Sequence, residues 1–187
     1  MKKTFLLMLL LSLLTVVGRA EIKLRTNLLC DAFLLPTLGV EWRITPEWGV
    51  KADGCFSHWG SETGNVQKTW LINPEVRFYM DNAKCFYSGV GGSYGRYNIH
   101  GFPLSKFLSQ ETGYQGALWN AGITVGYQLK LTRSFSLDFN LGLGYMCFEY
   151  DSFKMVDQVR VYKDKKQTKN YWGPMQAGVT LVWKIMK

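Results

Sequence analysis

The segment Phe135–Cys147 constrains this chain more than any other. Phe135, Leu137, Phe139, Leu141, Leu143, Tyr145 and Cys147 are apolar, and the even-numbered positions from Ser136 to Gly144 are polar or glycine. Successive side chains of a strand point to opposite faces, so this segment has one apolar face and one polar face. It is longer than the roughly 5–6 residues common in soluble sheets and suits a membrane-crossing strand of roughly 9–11 residues.

The N-terminus reads as an export signal. Lys2 and Lys3 form a basic head, Phe5–Val17 is mostly leucine, and Gly18 and Ala20 place small residues where a signal peptidase reads. Cleavage is expected after Ala20, giving a signal peptide over 1–20 and one barrel domain over 21–187. An uncleaved anchor helix is the alternative, and the short apolar run argues against it. Glu21 rather than a cysteine follows the cut, which argues against a lipoprotein anchor.

The leader takes Lys2, Lys3 and Arg19 with it, and the formal charge falls from +8 to +5. The remaining bases are scattered along strands rather than drawn into a stripe, so nucleic-acid binding is not expected. Cys30, Cys55, Cys85 and Cys147 lack metal-ligand or redox spacing. Alternation puts Cys55 on the polar face and Cys147 on the apolar one, and no disulfide pairing is assigned. Mean hydropathy is −0.07. A barrel gives such a value because its polar and apolar residues alternate.

Eight strands are expected: Glu21–Asp31, Leu38–Ile44, Trp48–His58, Trp70–Met80, Phe86–Ile99, Leu118–Leu131, Phe135–Tyr150 and Tyr171–Ile185. Turns after strands two, four and six are short. Loops after strands three, five and seven are longer, with Asp151–Asn170 read as a polar, lysine-bearing loop. Even strand number with short turns on one rim and long loops on the other is the pattern of an outer-membrane barrel. Both termini then lie on the periplasmic side. Trp42, Trp48, Trp70, Trp119, Trp172 and Trp183 fall near strand ends, as interfacial girdles do. Pro74 lies inside strand four, and a bulge is expected there. The fold class is all-β: an eight-stranded antiparallel up-and-down transmembrane β-barrel.

A soluble lipocalin-like lipid carrier of the periplasm would share this alternation with its apolar face turned inward. Two features favour the membrane barrel. The polar faces carry Lys23, Arg25, Arg43, Lys51, Arg77, Lys130 and Lys184 against Asp31, Glu41, Asp53, Glu75 and Asp138. That near balance suits a closed, charged interior. The apolar faces are rich in Trp, Phe and Leu, which would overfill the narrow interior of eight strands. The same narrowness leaves no room for a solute channel.

Three motifs carry a family resemblance: Thr26-Asn27-Leu28-Leu29-x-Asp31, Pro36-Thr37-Leu38-Gly39-Val40-Glu41 and Trp70-Leu71-Ile72-Asn73-Pro74-Glu75-Val76-Arg77. Through them the chain, from about Lys23 to Trp183, resembles the Bacteroidetes outer-membrane barrels grouped as domain-of-unknown-function family 3575. The resemblance implies an outer-membrane protein without an assigned reaction. It also implies association with fimbrial genes in some members.

Candidate chemistry is sparse. Ser57 and His58 are neighbours on a strand and point to opposite faces, so they cannot pair with each other. His100 opens a long loop. A lipid-modifying enzyme using His58 or His100 is the enzymatic alternative, and no G-x-S-x-G nucleophile motif supports it. No catalytic residue, cofactor site or metal site is expected, and the chain is read as a non-enzyme. Lys163, Lys165, Lys166 and Lys169 form a basic run on the outer rim, suited electrostatically to lipopolysaccharide phosphates. Expected partners are outer-membrane lipid, lipopolysaccharide and fimbrial or other surface proteins met by the loops.

Overall fold

The computed structural model describes residues 21–60, 65–80, 85–101, 112–156 and 159–186. The expected signal peptide lies outside these residues. Eight antiparallel strands follow one another round a closed ring: β1 (Glu21–Asn27), β2 (Thr37–Arg43), β3 (Trp48–Gly60), β4 (Val66–Tyr79), β5 (Phe86–His100), β6 (Thr112–Lys130), β7 (Phe135–Val156) and β8 (Val159–Met186). Pairing of β1 with β8 closes it, Leu24 opposite Trp183 and Asn27 opposite Thr180. Closure removes the unpaired edges that an open sheet would present.

Alternation sorts the side chains as the strand pattern requires. Leu38, Val90, Ile123, Val125 and Leu143 are exposed on the outside, Leu38 by 67% and Val90 by 65%. Lys23, Arg25, Glu41, Glu75, Arg77 and Asp138 are buried inside. This is the reverse of a lipid carrier's arrangement.

Four local differences from the sequence reading have physical causes. The first strand ends at Asn27, and Leu28–Ala32 form a short helix, α1. Asn27 caps it, its side-chain oxygen accepting from Leu29 N at 3.1 Å. The chain then folds against the inner wall. Gln67 Nε2 donates to the carbonyls of Phe33 and Leu34, and Trp59 Nε1 donates to Leu34 O at 2.8 Å.

Pro74 makes no bulge. Ladder pairs to β5 stop at Ile72–Tyr94 and resume at Glu75–Gly91 in unchanged register. The proline interrupts the ladder, having no N–H to give, without shifting it.

Bulges lie elsewhere, one of them in β8, where Gly142 faces Gln176 and Leu143 faces Pro174. The extra residue is Met175, which lines the lumen rather than joining the apolar outer face.

The largest difference is Asp151–Asn170. It is a hairpin arm rather than a loop, β7 and β8 staying paired to Val156–Val159. β6 joins it as far as Thr112–Lys154. Phe153 anchors the arm, fully buried, with Arg160 stacked 4.7 Å from its ring centroid.

Candidate functional site: a sealed ionic interior between two aromatic girdles

The lower lumen holds a network centred on Glu41, which β2 projects inward. Its Oε1 accepts from Tyr79 Oη at 2.6 Å and Lys23 Nζ at 3.2 Å. Its Oε2 accepts from Arg25 Nη1 at 2.6 Å, Arg77 Nη1 at 3.1 Å and Gln128 Nε2 at 3.3 Å. Asp138, from β7, is the second hub. It accepts from Arg77 Nη1 at 2.7 Å and Tyr87 Oη at 2.6 Å, with Arg25 Nη2 2.9 Å away. Lys51 extends the network to Asp53 at 2.7 Å and Glu75 at 3.2 Å, and Arg77 Nε donates to Glu75 at 2.6 Å.

The charges balance. Lys23, Arg25, Lys51 and Arg77 stand against Glu41, Asp53, Glu75 and Asp138. Burying an unpaired ion costs several kcal/mol, on the order of 3–5 when one partner of a buried pair is removed. A neutral, many-bonded cluster avoids that cost. Glycines make room for it. A Cβ at Gly126 would strike the Tyr87 ring, and one at Gly89 would lie 2.7 Å from Glu75 Oε1.

The other four residues expected in this network sit elsewhere. Asp31 accepts from Thr26 Oγ1 at 2.7 Å and from Thr37 N at 2.9 Å, so it ties the β1–β2 connection together. Arg43 stacks 3.7 Å from the Tyr79 ring centroid and lies 3.8 Å from Glu21. Lys184 pairs with Glu21 at 2.9 Å on the rim, and Lys130 ends β6 exposed. Conversely, Tyr79, Tyr87 and Gln128 belong to the network although they carry no charge at neutral pH. The signal was available for two of them: Tyr79 shares the polar face of Glu75 and Arg77, and Gln128 that of Lys130, whereas β5 carries no charge on its inward face to mark Tyr87.

Above the network is a cavity of about 260 Å³. Asn27, Asn73, Asn120, Asn140 and Gln176 give it an amide wall, and Cys30, Cys55, Met146 and Met175 a sulfur one. Asn73 Nδ2 donates to Gln176 Oε1 at 2.6 Å, linking the amides to one another. All four cysteines are free thiols.

Outside, aromatic side chains form two rings. On β3 to β6 the two members on each strand are eight residues apart: Trp48 and Phe56, Trp70 and Phe78, Phe86 and Tyr94, Trp119 and Tyr127. Neighbours touch within each ring. Trp48–Phe78 and Phe86–Tyr127 centroids are 4.9 and 4.6 Å apart in the lower one. Trp70–Tyr94, Trp119–Tyr145 and Tyr145–Trp172 are 5.6, 5.4 and 5.8 Å apart in the upper one. Eight residues of strand rise about 27 Å, and barrel tilt reduces this to a height of roughly 20 Å. Between the rings β3 to β6 present Val50, Ala52, Gly54, Ile72, Pro74, Val76, Ser88, Val90, Gly92, Ala121, Ile123 and Val125, none of them charged.

The lysines of the basic run, Lys163, Lys165, Lys166 and Lys169, are exposed on the β8 side of the arm. Lys165 Nζ lies 5.1 Å from the Tyr162 ring centroid, and Lys166 N donates to Asp151 Oδ1 at 2.7 Å. His58 faces outward beside Phe56, their rings stacked at 6.5 Å, while Ser57 faces inward and donates to Gln67 O. His100 lies 5.9 Å from Phe153 at the base of the arm. Among the described residues, no group of three or more His, Cys, Asp or Glu could hold a metal ion.

Comparison with known proteins gives a family and distant barrels. No curated protein matches the chain. Among solved structures, the solution structure of E. coli outer membrane protein W is similar at 8% identity and a TM-score of 0.36, covering 89% of this chain and 97% of that one. The KdgM porin in complex with disordered oligogalacturonate is similar at 7% identity and a TM-score of 0.30, covering 89% and 99%. The barrel assignment stands on the ladder of this chain rather than on these distant likenesses. The model of the protein family of unknown function DUF3575 matches residues 4–185, and the chain belongs to that family.

Proposed function

We propose that this chain is an integral outer-membrane β-barrel, closed to solutes, that serves the envelope as a structural and surface-contact protein. The observation that carries this reading is the uncharged belt between two aromatic rings, wrapped round a neutral ionic core. In water such a belt would be a very large exposed apolar surface, far beyond the few hundred Å² normal for a soluble monomer. In a bilayer it is the required lipid face, with aromatics at both interfaces. Export through the leader over 1–20 delivers the chain to that membrane. Both termini then share the periplasmic rim with the short β2–β3, β4–β5 and β6–β7 turns.

A closed lumen follows from the side chains that fill it. Arg25, Arg77, Tyr79, Tyr87, Glu41 and Asp138 are each no more than 2% exposed and span the barrel from wall to wall. The interior then has a structural task, and contact work falls to the β6–β7–β8 arm and to the connections read from sequence as loops, Gly60–Gln67 and His100–Gly116, which lie partly outside the described residues. Fimbrial or other surface proteins are the partners proposed for these segments, and no reaction is assigned. No helix among the described residues is long and apolar enough to cross a membrane.

Two readouts test the proposal together. The purified barrel in liposomes should add no measurable sugar permeability. An impermeant amine reagent on intact cells should label Lys163, Lys165, Lys166 and Lys169 and leave Lys23 and Lys51 unmodified. Steady sugar flux, or labelling of Lys23 and Lys51 equal to that of the arm, would contradict a sealed, surface-displaying barrel.

A further inference from the structure

The upper aromatic ring is followed by cations on only one side of the barrel. On three consecutive strands, the next outward position beyond the ring is basic or imidazole: His58 after Phe56 on β3, Lys68 beyond Trp70 on β4, and Arg96 after Tyr94 on β5. The register sets them side by side, His58 opposite Lys68 and Arg96 opposite Trp70. All three are exposed. On β6, β7 and β8 the corresponding positions hold Ala117, Cys147 and Asn170. Lys68 and Arg96 make no ion pair among the described residues. They line a groove of about 410 Å³ on the outer wall, which carries Asp151 at its far end.

We propose that His58, Lys68 and Arg96 form a phosphate-binding site for a phosphorylated glycolipid of the outer leaflet, its acyl chains lying on Phe56, Trp70 and Tyr94. The inference rests on the membrane reading above, because only a bilayer brings lipid phosphates to that height. Position decides between this site and the lysine arm. Each of the three side chains stands one outward step above an interfacial aromatic, where headgroups begin. Lys163, Lys165 and Lys166 stand nine, seven and six residues beyond Trp172, roughly 20–30 Å further along the strand, and Lys169, three residues beyond it, alternates to the opposite face of β8. The guanidinium of Arg96 suits a phosphate in two-point contact, and Lys68 adds a point charge.

The test uses the full mature barrel folded in detergent, with bisphosphorylated lipid A as probe and its dephosphorylated form as control. Heat-modified migration on gels reports folding of every variant. The wild type should bind the bisphosphorylated form at least about tenfold more tightly than the dephosphorylated form. The double variant K68A/R96A, folded by the gel criterion, should lose about tenfold or more of that affinity. The quadruple arm variant K163A/K165A/K166A/K169A should bind as the wild type does. Unchanged affinity in folded K68A/R96A, or loss in the arm variant alone, would overturn the site and leave the membrane barrel standing. A wild type that stays soluble without detergent and shows no heat-dependent migration would overturn the membrane reading itself.

Discussion

Glu41→Ala should cost the folded barrel about 3–5 kcal/mol, whereas Glu21→Ala should cost no more than about 1 kcal/mol. Both carboxylates meet several cations, yet their surroundings differ. Glu41 is fully buried and holds Lys23, Arg25 and Arg77 at once, with Tyr79 and Gln128 completing its lone pairs. Its loss leaves Lys23, Arg25, Lys51 and Arg77 in a narrow lumen with Asp53, Glu75 and Asp138 as the cluster's remaining acids, and leaves Lys23 only Glu21 on the rim, 3.4 Å away. Glu21 sits on the rim with its side chain 22% exposed, where water takes over when the pair with Lys184 is lost. Urea midpoints of the two variants refolded into the same lipid vesicles check the difference. Equal costs would mean that water reaches the network and that the lumen is open.

Val90→Arg should destabilise the barrel by about 2–4 kcal/mol, because a cation at mid-height of the lipid face must leave water. Val90 is 65% exposed, and Val161 on the arm is 52% exposed. Solvent accessibility alone ranks the two positions together. Their heights separate them: Val90 faces Val76 and Ile123 inside the belt, while Val161 pairs with Lys154 well above it. Val161→Arg should therefore change stability by no more than about 0.5 kcal/mol, as for an ordinary surface substitution. Matching small effects at both sites, by the same urea titration, would place the belt in water.

These contrasts show what the alternation could and could not convey. Strands β3 to β7 were legible because each must bury one face and offer the other to lipid, which writes a period of two into residues such as Trp48–Phe56 and Phe135–Cys147. The arm lacked that signal. Beyond Trp172 both faces of β8 meet water over most of their length, so Lys163 to Lys169 carry no apolar alternation and read as a loop. The end of β1 was hidden for the opposite reason. Leu28 continues the alternation of Ile22, Leu24 and Thr26, and only Asn27, a good helix cap, marks the break. Register was also beyond reach. A single extra residue at Met175 turns that side chain into the lumen, and Pro74 proved compatible with an unshifted ladder.

The interior was legible as a set of charges, not as a circuit. Alternation put Glu41, Glu75, Arg77 and Asp138 on one face, but Arg77 meets Asp138 across 61 residues of sequence. Such a pairing depends on which strands oppose one another across the ring. Asp31, Arg43, Lys130 and Lys184 share the polar pattern and lie near strand ends, so height along the barrel removes them from the buried cluster. Height, which periodicity does not report, also distinguishes the cations beyond the aromatic ring from those on the arm.

The most direct measurement is migration of the protein from washed outer-membrane fractions, with and without boiling. A sealed barrel held by its ionic core should stay in that fraction and run faster unboiled than boiled, because the folded ring resists detergent. Recovery in the soluble periplasm, with no shift on boiling, would contradict a membrane barrel with its apolar face outward.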